Sequence, residues 1–263
     1  MKVIVLIPAR FASTRYPGKP LVELKQKDGS SKSLIQMSFE AASQIAGVSE
    51  VYVVTDDDRI RAAAEGFDAP VIMTSPEREN GTARCAEAVK VAKLEADLFI
   101  NFQGDAPLTP PWFVEDLIAG MAADASAQMA TPVLQCDATT YAMFKEDRAN
   151  GRVGGTTVVF GDKGRAIYFS KEVLPFIDPA KVPGADIPVY HHVGVYAYRP
   201  EALKAYISWP ECGLEKLEGL EQLRFLYNGV PVKCVEVEAR GRLFWELNNP
   251  EDVARIEKVL AEQ

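Results

Sequence analysis

The sequence is short of the residue types on which several common kinds of site depend. Its 263 residues include only two histidines, which are adjacent, and four cysteines with no Cys-x-x-Cys pair. Such a set does not form a histidine-based zinc site, and the cysteines are expected to be reduced and mostly buried. No apolar run approaches the ~20 residues of a membrane span, and the first residues lack a signal-peptide pattern. The chain is therefore expected to be cytoplasmic, with no membrane contact.

An excess of positive charge is also lacking. The formal net charge is −8, whereas nucleic-acid binding generally needs a basic face, so we expect no nucleic-acid partner. Against this acidic background, the segment PARFASTRYPGKP (8–20) carries three cations, Arg10, Arg15 and Lys19. Such a local cluster favours a small anionic ligand over a polyanion.

The first half of the chain alternates short apolar runs with helix-like segments. Strands are predicted at 3–7, 50–57, 70–75 and 97–107, and helices at 33–46, 59–67, 82–94 and 112–123. This order predicts a parallel sheet covered by helices. In such sheets ligands bind at the carboxyl ends of the strands, and this sequence places there Arg10, Asp56–Asp58, Thr74–Ser75 and Gln103–Asp105.

After about residue 125 the pattern changes to strand-like segments separated by Gly and Pro. Residues 174–190 are rich in proline and are predicted to form a loop or lid. Residues 214–229 are predicted to form one amphipathic helix that stops at Asn228-Gly229, and residues 249–262 a closing helix. His191 and His192 lie on a predicted strand, so their side chains point to opposite faces and cannot both line one pocket.

The cationic segment after the first strand differs from a Walker P-loop. Gly18-Lys19 is followed by Pro20, and no glycine stands five residues earlier. A turn that carries two arginines and a lysine can nevertheless hold a triphosphate and stabilise departing pyrophosphate. The alternative is a solvated basic loop, but the position directly behind the first strand favours phosphate binding.

Several blocks of the sequence resemble, in order, those of 3-deoxy-manno-octulosonate (Kdo) cytidylyltransferases. They cover nearly the whole chain and read IPARFASTRYPGKPL, VVTDDDRI, MTSP, NFQGDAPL, HVGVYAYR, SWP with LEKLEGLEQLRFL, and NPEDVARIE. The resemblance implies an α/β fold, a three-layer α/β/α nucleotide-diphosphosugar transferase (Rossmann-like) arrangement with a mostly parallel central sheet and a smaller β-rich lid and dimerisation subdomain. It also implies a homodimeric, Mg²⁺-dependent enzyme. That enzyme would join CTP to an eight-carbon acid sugar, giving the CMP-sugar and pyrophosphate for lipopolysaccharide core synthesis.

The resemblance also implies how one cytidylyltransferase domain (1–263) is organised. Residues 1–125 would form the nucleotide-binding half, and residues 126–210 a β-rich part for sugar binding and dimerisation. Residues 211–263 would supply C-terminal helices that complete the site.

On the nucleotide side, the resemblance assigns the triphosphate clamp to Arg10, Arg15 and Lys19. Pro8 and Ala9 would present backbone to the cytosine, with Thr74 and Ser75 on its other side. Asp105 would hold Mg²⁺, which suits a hard oxygen ligand at a strand end; the alternative is a simple turn-forming aspartate. Arg15, Lys19 and Asp105 are the implied catalytic residues.

On the sugar side, the resemblance pairs His192 with Tyr196 as sugar contacts. Glu221 and Gln222 would hydrogen-bond the sugar hydroxyls. Gln103 and Arg84 would face the acid sugar, with Arg84 as the partner of its carboxylate. Without the resemblance, a lone strand histidine and a carboxylate on an amphipathic helix would be interpreted as structural.

The sequence departs from the family pattern within the implied site. The family's SGTDR is here NGTAR, with Asn80 and Ala83, and its QGDEP is QGDAP, with Ala106. The family's GVDTPED is ELNNPED, so the aspartate that completes the metal pair with Asp105 is Asn248. An amide oxygen can bind Mg²⁺ but supplies no negative charge.

Two hypotheses follow from these departures. In one, the metal arrangement is lost, with or without the activity. In the other, which we favour, the sugar brings its own positive charge, as in 8-amino-3,8-dideoxy-Kdo, the substrate of a sister group. Two further alternatives are a CMP-sialic-acid-type synthetase, which shares the Pro-Ala-Arg opening, and a non-catalytic CTP-binding module.

Overall fold

The computed structural model describes residues 1–12, 16–105, 107–153, 155–178, 187–242, 244–247 and 249–262. Its chain divides into two compact units. The first comprises Met1–Glu115, Tyr198–Ile207 and Ala239–Gln263, and the second comprises Asp116–Ala197 and Ser208–Glu238. None of the helices in the described ranges combines the length and hydropathy that a membrane crossing requires.

The first unit contains the predicted parallel sheet. Its strands are β1 (Val3–Ala9), β4 (Glu50–Thr55), β5 (Val71–Met73) and β6 (Leu98–Phe102), arranged side by side in the order β6-β1-β4-β5. All three pairings are parallel. Residues Val3–Ile7 of β1 are almost fully buried, as expected of a central strand covered on both faces. The parallel α/β architecture expected from the sequence is confirmed.

Helices and one hairpin complete the first unit. The helices are α1 (Leu34–Ser43), α2 (Asp58–Glu65), α3 (Gly81–Val91), α6 (Pro200–Tyr206) and α9 (Asp252–Glu262), and α4 (Pro111–Ala123) begins in it. Three of these helices are capped by the side chain of the residue that precedes them. The Ser33 side chain accepts from the Gln36 N–H, the Asp57 side chain from the Arg59 N–H and the Asn80 side chain from the Ala83 N–H. The hairpin consists of β2 (Glu23–Lys25) and β3 (Ser31–Ser33).

The second unit is rich in β-structure, as expected. Its strands are β7 (Met129–Gln135), β8 (Thr157–Gly161), β9 (Arg165–Ser170), β10 (Tyr190–His192), β11 (Val195–Tyr198, whose last residue belongs to the first unit) and β12 (Val232–Val237). They follow the order β10-β8-β9-β12-β7-β11, and β10 also pairs with β7. This second pairing closes a circuit of five strands, which leaves few unpaired strand edges.

The helices of the second unit depart from the sequence-based prediction in two places. Helix α5 (Ala138–Ala149) was not predicted; it buries little besides Phe144, so its apolar pattern is weak. The single helix predicted at 214–229 is wrong. The segment forms α7 (Gly213–Glu218) and α8 (Leu223–Tyr227), because Gly219 adopts φ 62°, ψ 39° and ends α7. The predicted stop at Asn228-Gly229 is confirmed. The predicted loop at 174–190 lies partly outside the described residues.

Candidate active site

The loop after β1 is held closed by backbone and ring contacts. The Gly18 N–H donates to the Phe11 carbonyl at 2.9 Å, and the guanidinium of Arg59 lies 3.3 Å from the Phe11 ring centroid. Gly18 has φ 73°, and a Cβ there would lie 3.1 Å from the Phe11 ring, so the tight return of the loop favours glycine. Lys19 follows directly and begins a short 3₁₀ turn. Arg15 lies outside the described residues.

Lys19 and Asp105 meet in an ion pair. Lys19 Nζ lies 2.8 Å from Asp105 Oδ2, and both side chains are largely buried. Gly104 fixes the loop that carries Asp105: its carbonyl accepts from the Ser38 hydroxyl at 3.2 Å. A Cβ on Gly104 would lie 3.3 Å from Ile7 on β1. The structure thus brings two predicted catalytic residues together at the carboxyl ends of β1 and β6.

Asp105 is the described residue for which the sequence predicts a divalent cation. No group of three or more His, Cys, Asp or Glu side chains within the described ranges is arranged to hold a metal. A single carboxylate nevertheless fits Mg²⁺, which commonly binds through one or two carboxylates plus substrate phosphates. The Leu247 N–H donates to the Asp105 carbonyl at 2.8 Å. The next residue in the chain, Asn248, lies outside the described residues.

Arg84 is buried on α3 and contacts two residues of neighbouring strand ends. Its Nη1 lies 3.0 Å from Asp56 Oδ1 and donates to the Thr74 hydroxyl at 2.7 Å. Burial lowers the pKa of Arg84; the charge of Asp56 opposes this shift and that of Arg10 adds to it. Arginine stays protonated in proteins, so the cation is held in place by Asp56. The structure therefore brings together Arg84 and Thr74, both predicted site residues.

The other predicted nucleotide contacts lie along the same strand ends. Pro8 and Ala9 end β1 opposite Val54 and Thr55. The Arg10 guanidinium donates to the Glu79 carbonyl at 3.3 Å. The backbone of Pro8 and Ala9 and the cation of Arg10 therefore follow one another at the end of β1.

Ser75 and Gln103 follow the ends of β5 and β6. The Ser75 N–H donates to Glu87 Oε2 at 3.1 Å, and Arg78 donates to the same oxygen at 2.8 Å. Gln103 comes directly after β6, beside Gly104. Both residues therefore lie at the strand ends where the sequence places them.

The predicted sugar contacts His192, Tyr196 and Gln222 lie together in the second unit. The His192 and Tyr196 ring centroids are 5.4 Å apart, and the Tyr196 hydroxyl donates to Gln222 Oε1 at 3.2 Å. All three residues are buried. Within the described part of the chain, His192 Nε2 and Gln222 Nε2 have no hydrogen-bond partner. Buried polar atoms normally find one, so these two atoms are exceptions that call for an explanation.

The two histidines face different surroundings, as their adjacency on a strand predicts. His191 stacks edge-on against Phe144 at 4.9 Å, whereas His192 stacks against Phe169 at 5.2 Å and against Tyr196. Burial lowers the pKa of His191 to about 4. Burial and the nearby His191 lower the pKa of His192 to about 3. At neutral pH His192 is therefore an uncharged imidazole that can donate or accept one hydrogen bond.

Glu221 and Gln222 sit between α7 and α8, and a buried ion pair fixes that corner. Arg224 donates to both oxygens of Glu215, at 2.6 and 2.7 Å, and also to the Trp209 carbonyl at 3.3 Å. Neither partner of the ion pair is more than 4% exposed. Sequence reasoning missed this pair because its members are nine residues apart on what was predicted to be one helix.

Sequence reasoning did not predict the surroundings of Asn80 and did not single out Asn101 of β6. Asn80 caps α3 and donates from Nδ2 to the Tyr206 hydroxyl at 2.7 Å. Asn101 is fully buried two residues before Gln103, and neither of its amide atoms has a partner among the described residues. The polar Asn101 inside an apolar strand was the available signal.

Comparison with known proteins supports the chemistry suggested by this geometry. The sequence matches the cytidylyltransferase family over residues 4–237. It is 41% identical to the 3-deoxy-manno-octulosonate cytidylyltransferase of Maricaulis maris, over 99% of this chain and 98% of the relative. It is 37% identical to the 8-amino-3,8-dideoxy-manno-octulosonate cytidylyltransferase of Shewanella sp. (strain W3-18-1), over 99% of both chains.

Solved structures agree on the fold. A CMP:2-keto-3-deoxy-manno-octonic acid synthetase complexed with CTP superposes with a TM-score of 0.83 at 34% identity, over 100% of this chain and 99% of the other. A 4-diphosphocytidyl-2C-methyl-D-erythritol synthase from Anaerococcus prevotii shares the fold, with a TM-score of 0.58 at 14% identity. By its sequence and its fold, the chain belongs to the cytidylyltransferase family of nucleotidyltransferases.

Proposed function

We propose that the protein joins CTP to a 3-deoxy-octulosonate sugar, releasing pyrophosphate and forming the CMP-sugar. The observation that carries the proposal is the Lys19–Asp105 pair at the carboxyl ends of β1 and β6, in a chain similar over its whole length to two such enzymes. The sugar's anomeric hydroxyl attacks the α-phosphorus of CTP, a new P–O bond forms, and the bond to the pyrophosphate oxygen breaks. The product would supply lipopolysaccharide core synthesis.

The nucleotide contacts neutralise and position the triphosphate. Arg10, Arg15 and Lys19 are the proposed clamp, and charge neutralisation with positioning does most of the work in phosphoryl transfer. Pro8 and Ala9 offer backbone to the cytosine, with Thr74 and Ser75 on its other side. Pro8, Ala9 and Arg10 end or follow β1, and Thr74 and Ser75 follow β5, so the sheet fixes their positions.

We propose Mg²⁺ as the cofactor, held by Asp105 with Asn248 as its companion. The support is the hard carboxylate of Asp105 and the Leu247–Asp105 backbone bond, which fixes the chain immediately before residue 248. The ion would add positive charge beside the phosphates. Lys19 meanwhile balances the charge of the Asp105 carboxylate.

The sugar contacts are proposed to be His192, Tyr196, Glu221 and Gln222, completed by Arg84 and Gln103 on the acid group. Support comes from the two unpartnered nitrogens, on His192 and Gln222, among buried side chains. Burying these groups is costly unless a ligand hydroxyl pairs with them. Because His192 is neutral at physiological pH, it is suited to an uncharged hydroxyl rather than to an anion.

We propose that the sugar is 8-amino-3,8-dideoxy-Kdo rather than Kdo. The support is loss of negative charge: Ala83, Ala106 and Asn248 stand where the family has acids. In the family pattern two aspartates hold the metal, and here one of them is the amide Asn248. The ammonium of an amino sugar would bring positive charge of its own to this site. The fourth departure, Asn80, is not used in this argument, because it has a structural role. Its side chain caps α3 and donates to the Tyr206 hydroxyl.

The test is pyrophosphate release from CTP and Mg²⁺ with Kdo, its 8-amino analogue or sialic acid. Preference for the amino sugar is expected, and equal or better use of Kdo would overturn the specificity proposal. Turnover of sialic acid alone would identify the sialic-acid type. CTP binding without turnover of any sugar would identify a non-catalytic module. Asp105→Asn should abolish release, whereas Glu65→Gln, the same kind of change at an exposed residue of α2, should not.

We also propose a cytoplasmic homodimer, since CTP is a cytoplasmic substrate. The dimer is supported by three exposed apolar side chains of the second unit, Ile167, Phe176 and Leu217, which are 64 to 86% exposed. Light scattering should give twice the chain mass of 28.9 kDa, and Leu217→Glu should reduce it. A monomeric mass for the wild type would contradict this proposal.

A further inference from the structure

The β2–β3 hairpin is a feature that the proposed function leaves unexplained. Its polar sequence QKDGSSKS (26–33) is fixed to the first unit at several points. Leu24 is fully buried, and the Lys25 N–H donates to Glu257 on α9 at 3.0 Å. The Leu34 N–H at the start of α1 donates to the Val22 carbonyl at 2.9 Å. The hairpin is therefore a fixed part of the first unit rather than a loose loop.

Beside this hairpin lies a half-open cavity of about 180 Å³, which is large enough for several water molecules. Its polar groups come from Gln26 and Lys32 of the hairpin, Glu40 of α1, Gln44, Thr109 and the exposed Arg242. Pro107 and Leu108 also line it, so the cavity borders the loop that continues from Asp105.

The Thr109 hydroxyl is the first sign that the cavity takes a ligand. Thr109 is 3% exposed, and its Oγ1 has no hydrogen-bond partner among the described residues. A buried hydroxyl without a partner costs stability. A ligand with an acceptor oxygen in the cavity would satisfy it.

The charges of the cavity indicate what that ligand is. Lys32 and Glu40 neutralise one another at 2.6 Å, and Glu40 also accepts from Gln36 at 3.0 Å. Arg242 lies 5.1 Å from the Trp112 ring centroid, and in the described part of the chain no carboxylate pairs with it. The lining thus carries one uncompensated positive charge. Its guanidinium offers the paired donors that planar or tetrahedral oxyanions accept.

We propose that this cavity binds a small oxyanion, a phosphate or a carboxylate, through Arg242 and the Thr109 hydroxyl. The site is separate from the proposed triphosphate clamp, since it uses neither Arg10 nor Lys19. The proposal does not depend on the proposed catalytic function.

The test is isothermal titration of the protein with inorganic phosphate and, separately, with malonate, which distinguishes the two sources of the oxyanion. Arg242→Gln should weaken binding at least tenfold. Arg240→Gln is the matched control, because Arg240 also stacks on Trp112, at 5.0 Å, but does not line the cavity. It should change the affinity less than twofold.

Two more variants keep the test decisive. Thr109→Val should weaken binding about threefold or more without lowering the thermal midpoint, because it removes an unpartnered hydroxyl at nearly constant volume. Lys19→Met should leave the binding in place, since it disables only the proposed clamp. Absence of binding by both anions would overturn the proposal, as would equal losses in Arg242→Gln and Arg240→Gln. Loss of binding in Lys19→Met alone would also overturn it, by assigning the anion to the clamp.

Discussion

Replacing Arg224 by leucine removes one partner of the buried ion pair with Glu215. The pair is bidentate, at 2.6 and 2.7 Å, and its members are 3 and 4% exposed. The variant leaves a carboxylate in a nearly dry environment and the Trp209 carbonyl without its 3.3 Å donor. Breaking a buried pair in this way costs about 3–5 kcal/mol of unfolding free energy.

The double variant Arg224→Leu/Glu215→Leu is the control that separates charge from packing. It removes both charges and keeps apolar bulk, so its cost should be well below that of Arg224→Leu. Urea unfolding at pH 7.5 measures all three proteins. If Arg224→Leu costs less than about 1 kcal/mol, or if the double variant costs as much as the single one, the reasoning is wrong.

We also expect Arg224→Leu to weaken binding of the sugar. Arg224 fixes the corner that presents Glu221 and Gln222, and neither of these residues is replaced. The KM for the sugar should therefore rise while the KM for CTP stays within twofold. A change in the KM for CTP alone would show that this corner does not serve the sugar.

Three further predictions concern other parts of the molecule. Lys19→Met should lower kcat at least a hundredfold in a pyrophosphate-release assay, because it removes the ammonium proposed for the triphosphate. Thermal melting should show a smaller loss of stability than for Arg224→Leu, since the Lys19 and Asp105 side chains are 16 and 23% exposed. Gly155→Ala should lower the unfolding free energy by about 1–3 kcal/mol in urea, since its Cβ would lie 2.7 Å from Phe144 and 2.8 Å from His191. The free energy of unfolding should fall as the pH drops below 6.5. In the folded state burial keeps His191 and His192 neutral, with pKa values of about 4 and 3, whereas in the unfolded chain both bind a proton. Between pH 7.5 and 5.5 the two should together cost about 2.5 kcal/mol, and a loss under 1 kcal/mol would contradict their burial as neutral groups.

The sequence predicts the first unit well because its signals are local. The buried run of β1 and the cap residues Ser33, Asp57 and Asn80 each lie within a few residues of the element they define. The alternation of these elements then fixes a parallel sheet and its ligand-binding edge.

Long-range contacts could not be predicted in the same way. The partner of Arg84 is Asp56, which comes from another strand end, and nothing in the spacing of the two residues indicates a pair. The break in the 214–229 segment depends on the left-handed conformation of Gly219. A glycine inside a helical pattern is compatible with either outcome. Helix α5 was detectable only from Asp137, which caps it by accepting from the Thr140 N–H at 2.7 Å.

The predicted site residues of the two units include different kinds of polar group. The first unit has two charged pairs, Lys19 with Asp105 and Arg84 with Asp56. In the second unit the predicted residues include a neutral imidazole and an amide, each with an unpartnered nitrogen. Charged groups held in position stabilise charge that develops on phosphate, whereas neutral donors and acceptors discriminate between hydroxyl patterns, because a mismatched hydroxyl leaves them unpaired. Substitution of Lys19 should therefore act on kcat, and substitutions at His192 or Gln222 on the choice of sugar.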